Sequence, residues 1–253
     1  MGKIIAIANQ KGGVAKTTST YNIGGSLARK GKKTLIIDLD GQASLTISAG
    51  LEPFDYDNTI VDVLKKEGTP ITKCIRTLQE NIDICTSRLE LAQLEIEMIG
   101  RPMRETILKR ALEAVRCEYD YILIDCPPQL SILTINALAC SDYVVIPVKT
   151  DYLAYRGVEL LMESISDIKE LVNPSLSVLG VVATMFEMRV KDDNEILQAL
   201  MDKYNVIGVV KKMAIAKKGV YDGRSVSEQS PKNEVAKEYD KVSDYIIADG
   251  GIE

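Results

Sequence analysis

A glycine- and lysine-rich segment follows the first apolar run of the chain. Residues 9–18 read NQKGGVAKTT, and the stretch after them has helical periodicity. Glycines let backbone N–H groups approach a phosphate closely, and the N-terminal end of the next helix attracts negative charge. In such loops a lysine reaches the outer phosphates and a threonine hydroxyl binds Mg²⁺, roles that fit Lys16 and Thr17. We therefore predict a nucleotide-phosphate site in this segment. Its members are Gly12, Gly13, Val14, Ala15, Lys16, Thr17 and Thr18.

Carboxylates stand at the ends of two further apolar runs. Asp38 and Asp40 end the run TLIIDLD at residues 34–40, and Asp125 ends the run YILID at residues 121–125. Side chains alternate along a strand, so Asp38 and Asp40 lie on the same side of the strand end. A carboxylate at the end of a buried strand beside a phosphate site can hold Mg²⁺ through water, and Asp125 fits this role. The alternative that Asp38 and Asp40 only cap the next helix stays open.

The composition excludes several kinds of chemistry. The 253 residues include no histidine, which rules out a Ser-His-Asp triad, a His-ligated zinc and an imidazole base. Five cysteines without a C-x-x-C pair predict neither a disulfide framework nor a thiolate zinc site. The remaining groups are carboxylates, lysines, backbone amides and a bound metal. They suit phosphoryl transfer to water, because that reaction needs positioning and charge neutralisation more than proton abstraction.

Charge and hydropathy bear on partners and location. The net charge of −5, the absence of tryptophan and an aromatic content of 5% argue against a single-stranded nucleic-acid surface built on stacking, but they allow a local basic patch. No apolar run reaches the roughly 20 residues of a membrane helix, and the N-terminus turns polar too early for a signal peptide. We expect a cytoplasmic protein with no membrane partner.

The elements that must position these residues follow from the hydropathy pattern. Short runs rich in Ile and Val alternate with longer segments of helical period, which predicts β-α-β units. The predicted strands are Lys3–Ala8, Thr34–Asp38, Ile82–Cys85, Tyr121–Asp125, Tyr143–Pro147, Val178–Thr184 and Val206–Val210. The predicted helices are Lys16–Lys30, Thr59–Lys66, Met103–Arg116, Ile132–Ala139, Arg156–Leu171, Asn194–Tyr204 and about Asn233 to Ala248. We expect an α/β fold: one domain over residues 1–253 with a doubly wound, mainly parallel sheet and helices on both faces. Arg88–Arg104, dense in charge and leucine, reads as a solvated, helix-rich excursion over one sheet edge.

The loop resembles the deviant P-loop of the ParA/MinD group of ATPases. Its pattern is K-G-G-x-x-K-[ST], whereas the common form G-x-x-x-x-G-K-[ST] fails because Gln10 and Ala15 occupy its glycine positions. The segments around Asp40 and Asp125 are also similar to those of this group, except that Gly41 replaces the usual proline. Ala15 departs from the glycine of most relatives, and a positive φ there would strain the loop.

The resemblance implies a role for each residue of the site. Lys11 crosses to the phosphates of the partner subunit in an ATP-sandwiched homodimer. Asp40 orients the attacking water at the metal site, and Asp38 helps to organise the metal and its water shell. Lys11, Lys16 and Asp40 are thus the implied catalytic residues, and Thr17, Asp40 and Asp125 the implied metal residues. The implied ligands are ATP or ADP with Mg²⁺, and the implied activity is slow, partner-stimulated ATP hydrolysis.

A local basic segment favours the ParA type within this group. Residues 203–221 carry lysines and no acidic residue, although the chain as a whole is acidic. Such an asymmetry is typical of a surface that tracks DNA phosphates without reading sequence. The candidate DNA-binding residues are Arg189, which matches a family arginine, and Lys211, Lys212, Lys217 and Lys218. Because there is no room for an N-terminal helix-turn-helix domain, the chain resembles the short, Soj-like kind, which implies a ParB-type centromere-binding partner and association with the nucleoid.

Three other interpretations remain. A MinD-like ATPase that cycles on a membrane should end in a basic amphipathic helix, whereas nothing basic follows Lys241 here. A nitrogenase-reductase-like iron–sulfur protein needs cysteines that share a cluster, and only Cys126 lies near the site. A positioning ATPase with a protein cargo would share every nucleotide-site residue, so only the basic surface bears on that alternative.

Overall fold

An eight-stranded sheet runs through the computed structural model, which describes residues 1–212 and 223–249. The strands are β1 (Lys3–Ile7), β2 (Thr34–Asp38), β3 (Ile75–Gln79), β4 (Ile82–Cys85), β5 (Tyr121–Asp125), β6 (Tyr143–Lys149), β7 (Ser177–Phe186) and β8 (Val206–Lys211). Their order across the sheet is β3-β4-β2-β5-β1-β6-β7-β8, and every neighbouring pair is parallel except β3 and β4. The doubly wound, mainly parallel sheet predicted from the sequence is therefore confirmed.

The helices cover both faces of this sheet. They are α1 (Lys16–Arg29), α2 (Ser44–Ser48), α3 (Ile60–Leu64), α4 (Leu91–Met98), α5 (Ile107–Glu113), α6 (Ile132–Cys140), α7 (Tyr152–Leu171), α8 (Lys191–Lys203), α9 (Val226–Gln229) and α10 (Glu234–Asp249). Side chains of α1, α2, α9 and α10 share one apolar core, and those of α3 to α8 share the other. Strands β2 and β5 are buried along their whole length because both faces are covered, which explains their continuous apolar sequence.

Several element boundaries differ from the prediction for local reasons. The helix expected over Met103–Arg116 is shorter, because Met103 has a left-handed backbone (φ 53°), a 3₁₀ turn precedes α5, and α5 ends at Glu113. Helix α7 begins at Tyr152 instead of Arg156, because the Asp151 carboxylate accepts a hydrogen bond from the Ala154 backbone N–H and caps the helix. Strand β3 and the five-residue helix α2 were missed.

Helix α10 packs against α1, the helix that follows the predicted phosphate loop. The hydroxyls of Ser19 and Tyr239 lie 3.1 Å apart inside this contact, and Tyr239 is fully buried. At the surface, Asp240 pairs with Arg29 and accepts a hydrogen bond from Ser26. The apolar side of α10 is thus part of the core. Within residues 1–212 and 223–249, no helix combines the length and apolarity that a membrane span requires.

Candidate nucleotide site

The loop between β1 and α1 forms a cradle at the carboxyl end of the sheet. Its two glycines are exposed, and Gly13 has a positive φ of 72° that glycine adopts without strain. Val14 is buried, and its carbonyl accepts a hydrogen bond of 3.1 Å from the Thr184 hydroxyl of β7. The loop is therefore anchored on its inner side, while its glycines face the open cavity beside it.

Lys16 occupies the first turn of α1 and points back into the loop. Its ammonium donates to the carbonyl oxygens of Asn9 and Lys11, both at 3.0 Å. Burial lowers the pKa of Lys16, and the nearby Asp125 carboxylate opposes that effect. A largely desolvated ammonium held only by neutral carbonyls is a strong binding group for an anion, which agrees with the predicted role in phosphate binding.

Ala15 adopts the left-handed conformation that the sequence identified as costly. Its φ is 66° and its ψ is 33°, and it is the residue immediately before α1. A non-glycine residue in this region costs roughly 1–2 kcal/mol. Alanine at this position therefore strains the loop, as the sequence predicted for a positive φ. Ala43, just before α2, has the same conformation, with a φ of 51°.

Two buried carboxylates meet beside the loop. Asp38 of β2 and Asp125 of β5 are register partners on adjacent strands. The Thr17 hydroxyl donates to Asp125 at 2.7 Å, and the Thr20 hydroxyl lies 3.3 Å from its other oxygen. Burial, followed by repulsion from Asp38, raises the pKa of Asp125 to about 8. Burial likewise raises the pKa of Asp38 to about 6, although hydrogen bonds from Thr46 partly oppose this.

This arrangement fits a hydrated Mg²⁺ ion. Two buried carboxylates side by side repel each other, and a divalent cation relieves that repulsion. Magnesium usually keeps several waters and takes only one or two carboxylates besides the phosphates. Accordingly, the described residues contain no cluster of three or more His, Cys, Asp or Glu ligands. Thr17 and Asp125, the residues predicted to bind the ion, lie together at this point of the structure, and their metal role stays a prediction.

Asp40 forms one wall of the cavity. Its backbone N–H donates to Asp38 at 3.2 Å, and its carboxylate accepts from the Gln42 backbone N–H at 2.9 Å. The cavity has a volume of about 480 Å³. It is lined by Gly12, Gly13, Ala15, Lys16, Thr17, Thr18, Asp40, Ser44, Ile47, Ser48, Pro128 and Met185. Most predicted binding residues thus come together around one cavity.

Lys11 lies to the side of this cavity. Its ammonium forms a 2.7 Å ion pair with Asp151, the residue that caps α7. Burial raises the pKa of Asp151, but hydrogen bonds from Lys11, the Ala154 backbone and Lys149 outweigh it and lower the pKa to about 2. Within one subunit, therefore, Lys11 is held by a carboxylate and not by the nucleotide cavity. Its role across a dimer stays a prediction.

Sequence reasoning missed the residues that line the cavity from α2 and β7. Ser44, Ile47 and Ser48 belong to a helix too short to give a periodic signal. Met185 lies near the end of β7 with a positive φ of 55°, a strained conformation of the kind found at functional sites. No motif marks Met185 in the sequence.

The candidate DNA-binding residues lie near the carboxyl ends of β7 and β8. Arg189 is exposed in the turn before α8. Lys211 forms a 2.9 Å ion pair with Glu234, and Lys212 forms a 2.6 Å ion pair with Glu187. The basic segment at residues 203–221 contains no acidic residue, but two of its lysines are therefore paired with glutamates from other parts of the chain. Lys217 and Lys218 lie outside the described residues.

The fold and the cavity together define a P-loop nucleotide-binding protein with two lysines in its loop. A family described as "AAA domain" matches residues 2–178. Among curated relatives, the sporulation initiation inhibitor protein Soj of Bacillus subtilis is 46% identical over 189 residues, which is 75% of each chain. The chromosome partitioning protein ParA of Caulobacter vibrioides is 38% identical over 189 residues, 74% of this chain and 71% of that one. The chain belongs to the ParA/Soj family of P-loop ATPases, as the resemblance implied.

Solved structures agree with this assignment. Cobyrinic acid a,c-diamide synthase from Mycobacterium smegmatis, crystallised with ADP and magnesium, is 30% identical with a TM-score of 0.85 over 98% of this chain and 94% of that one. A plasmid partition protein from Borrelia burgdorferi is 27% identical with a TM-score of 0.79 over 98% and 99% of the two chains. The former contains the ligands that the loop of this chain predicts.

Proposed function

We propose that this protein is a partition ATPase that dimerises on ATP and Mg²⁺, binds DNA without sequence preference in that state, and releases it after hydrolysis. Its cargo is a plasmid, a chromosome or an integrated element. The observation that carries this proposal is that Lys16, Thr17 and Asp40 line one cavity, with Asp125 bonded to Thr17 directly behind it, in a chain 46% identical to Soj.

The nucleotide chemistry follows from the groups around the cavity. Backbone N–H groups of residues 12–18 and the Lys16 ammonium bind the phosphates of ATP or ADP. Thr17 and Asp125 would hold Mg²⁺, and the bound ion would supply positive charge to the phosphoryl group during its transfer. Asp38 supports this metal site, and Asp40 positions the attacking water. With no histidine in the chain, positioning and charge neutralisation do the work, which supports slow, switch-like hydrolysis.

Dimerisation supplies the second lysine. Lys11 leaves Asp151 and reaches the phosphates bound by the other subunit, so that both subunits enclose the two nucleotides. The pair that it leaves is about one-third exposed, and such pairs contribute only about 0–1 kcal/mol. Its loss is therefore a small cost beside the new contacts with phosphate. A ParB-type centromere-binding protein is the partner that stimulates hydrolysis of this dimer.

The basic surface supplies DNA contact and nucleoid association. Arg189, Lys211 and Lys212 share one edge of the sheet, and the two lysine–glutamate pairs are exposed. Exposed pairs exchange readily for phosphate contacts, and release of counterions makes such binding strongly dependent on salt. Lys217 and Lys218, which lie outside the described residues, are proposed as further DNA-binding residues.

Binding to random-sequence duplex DNA tests this proposal. It is measured with ATP, with ADP and without nucleotide, at two salt concentrations. The variants are Lys211→Ala with Lys212→Ala, and Arg189→Ala. Lys30→Ala is a matched control, because Lys30 also forms a surface pair, with Asp244, but at the far end of α1.

The expected result is ATP-dependent, salt-sensitive binding that the basic-surface variants weaken and the control does not. Absence of binding in every nucleotide state would contradict the DNA cargo. It would favour a positioning ATPase with a protein or membrane cargo, since every nucleotide-site residue would still be accounted for. The apolar side of α10 is buried in the core, so the described part of this helix has no free apolar face with which to bind a membrane.

A further inference from the structure

Thr46 of α2 links strand β2 to the segment that follows strand β4. Its hydroxyl lies 2.7 Å from a carboxylate oxygen of Asp38, and its backbone N–H donates to the same oxygen at 2.8 Å. The backbone N–H of Ser87 donates to the Thr46 hydroxyl at 3.0 Å. All three residues are fully buried. Strand β2, helix α2 and the segment that follows β4 are therefore joined by one short chain of hydrogen bonds.

The direction of these hydrogen bonds follows from the groups themselves. A backbone N–H can only donate, so the Thr46 hydroxyl accepts from Ser87 and keeps its single proton for Asp38. The second oxygen of Asp38 accepts from the Asp40 backbone N–H at 3.2 Å. The order of donation therefore runs from Ser87 to Thr46 to Asp38, with Asp40 held at the far side of the carboxylate.

We propose that Thr46 is a positioning residue for ATP hydrolysis: it fixes the Asp38 carboxylate, which in turn fixes the backbone that carries Asp40. This inference rests on the proposed function. Thr46 does not line the nucleotide cavity, although its neighbours Ser44, Ile47 and Ser48 do. It therefore acts through Asp38 and Asp40 and makes no contact with the nucleotide itself.

The effect on rate follows from the geometry. Asp38 is buried beside Asp125, and without the Thr46 hydroxyl it loses one of its three hydrogen bonds. The two backbone hydrogen bonds remain, but the carboxylate loses the shorter side-chain bond that fixes one of its oxygens. The Asp40 backbone can then shift, and a small displacement of a positioning group costs up to about a hundredfold in rate. ATP binding depends on the loop of residues 12–18 and is left in place. Removal of the hydroxyl should therefore lower kcat and leave KM almost unchanged.

Steady-state ATP hydrolysis by the 253-residue protein, without partner, tests this inference. Thr46→Val replaces the hydroxyl with a methyl group of similar size, and Thr46→Ser keeps the hydroxyl. We expect Thr46→Val to lower kcat at least tenfold with KM for ATP within about twofold of wild type. We expect Thr46→Ser to restore most of kcat.

Thr59 provides a matched control for the loss of a buried hydroxyl. It is also fully buried, lies 3.3 Å from the Asp62 carboxylate and accepts from the Val61 backbone N–H, but it caps α3 away from the cavity. Thr59→Val should lower the melting temperature as Thr46→Val does and leave kcat unchanged.

The outcomes separate this inference from the proposed function. If the wild-type protein hydrolyses ATP and Thr46→Val does so with the same kcat, the role of Thr46 is overturned. An equal loss of kcat in Thr59→Val overturns it as well. A rise in KM at unchanged kcat overturns it as well, because Thr46 would then support nucleotide binding. Failure of the wild-type protein both to bind ATP and to hydrolyse it overturns the proposed function itself.

Discussion

The Lys11 ammonium lies 2.7 Å from the Asp151 carboxylate of the same subunit. This pair joins the phosphate loop to the first turn of α7, because Asp151 also caps that helix. If Lys11 acts on the nucleotide of a second subunit, the pair within one subunit must break first. Asp151 then opposes dimerisation until ATP is bound.

Asp151→Asn removes the charge that holds Lys11. Asparagine caps helices about as well as aspartate, so α7 stays intact. We expect the ATP concentration for half-maximal dimerisation to fall about two- to fivefold, the range that a partly exposed pair accounts for. Sedimentation or light scattering across an ATP titration measures this. Asp244→Asn is the control, because it removes the carboxylate of an ion pair with Lys30 that involves neither Lys11 nor Asp151. An unchanged midpoint in Asp151→Asn would show that the pair does not restrain Lys11.

Lys16→Ala should abolish nucleotide binding or weaken it severely. The ammonium is the buried cation of the loop, and its loss leaves the phosphates without their main counter-charge. Because the pKa of Lys16 is lowered by burial, its removal should not destabilise the nucleotide-free protein. Calorimetric titration with ATP and Mg²⁺ checks the first statement, and thermal unfolding the second. Wild-type affinity for ATP in this variant would refute the assignment of the loop.

Asp40→Ala should bind ATP and fail to hydrolyse it. Asp40 lines the cavity, while Lys16, Thr17 and Asp125 keep their places without it. The variant is therefore expected to accumulate as an ATP-bound dimer that holds DNA, which gel filtration and DNA binding at equal ATP concentration can detect. Hydrolysis at the wild-type rate would remove Asp40 from the mechanism.

Asp125 should make the nucleotide-free protein less stable as the pH rises. Its pKa is raised to about 8 in the folded protein, against about 3.9 in an unfolded chain. Between these values the folded state binds more protons than the unfolded state, so the free energy of unfolding falls with increasing pH. We expect a loss of roughly 1–3 kcal/mol between pH 5 and pH 8, and a flatter profile in Asp125→Asn. Asp202→Asn, at an exposed position on α8, should leave the wild-type slope. A flat wild-type profile would contradict the prediction.

Ala15→Gly should stabilise the protein. The change relieves a left-handed alanine at a cost in unfolded-state entropy, which leaves a net gain of about 0.5–1 kcal/mol. Ala43→Gly should behave alike, because Ala43 has the same backbone conformation. Ala199→Gly, inside α8, should instead lose about 1 kcal/mol. Chemical denaturation of the three variants measures these signs. Destabilisation by both Ala15→Gly and Ala43→Gly would show that neither residue is strained.

The sequence predicted the parts of the molecule that have continuous patterns. The apolar runs of β1, β2 and β5 could be located because central parallel strands are buried on both faces, and the loop and carboxylates at their ends followed. Strand β3 could not be located from the sequence, since it pairs antiparallel at the sheet edge and its partly buried side chains give no continuous apolar run. Contacts between residues far apart in the sequence could not be predicted either. The Lys11–Asp151 pair, for example, joins residues that are 140 positions apart.

The packing of α10 on α1 also bears on how the protein is made. Ile23 and Leu27 of α1 share a core with Tyr239 and Val242, which emerge from the ribosome more than 200 residues later. Until then, the helix that carries Lys16 and Thr17 has an uncovered apolar side. A nascent chain stalled before residue 234 should therefore be recognised by chaperones and retained poorly on immobilised ATP. The ability to bind nucleotide would then be acquired only after α10 has emerged, which would keep chains that lack this helix out of functional dimers.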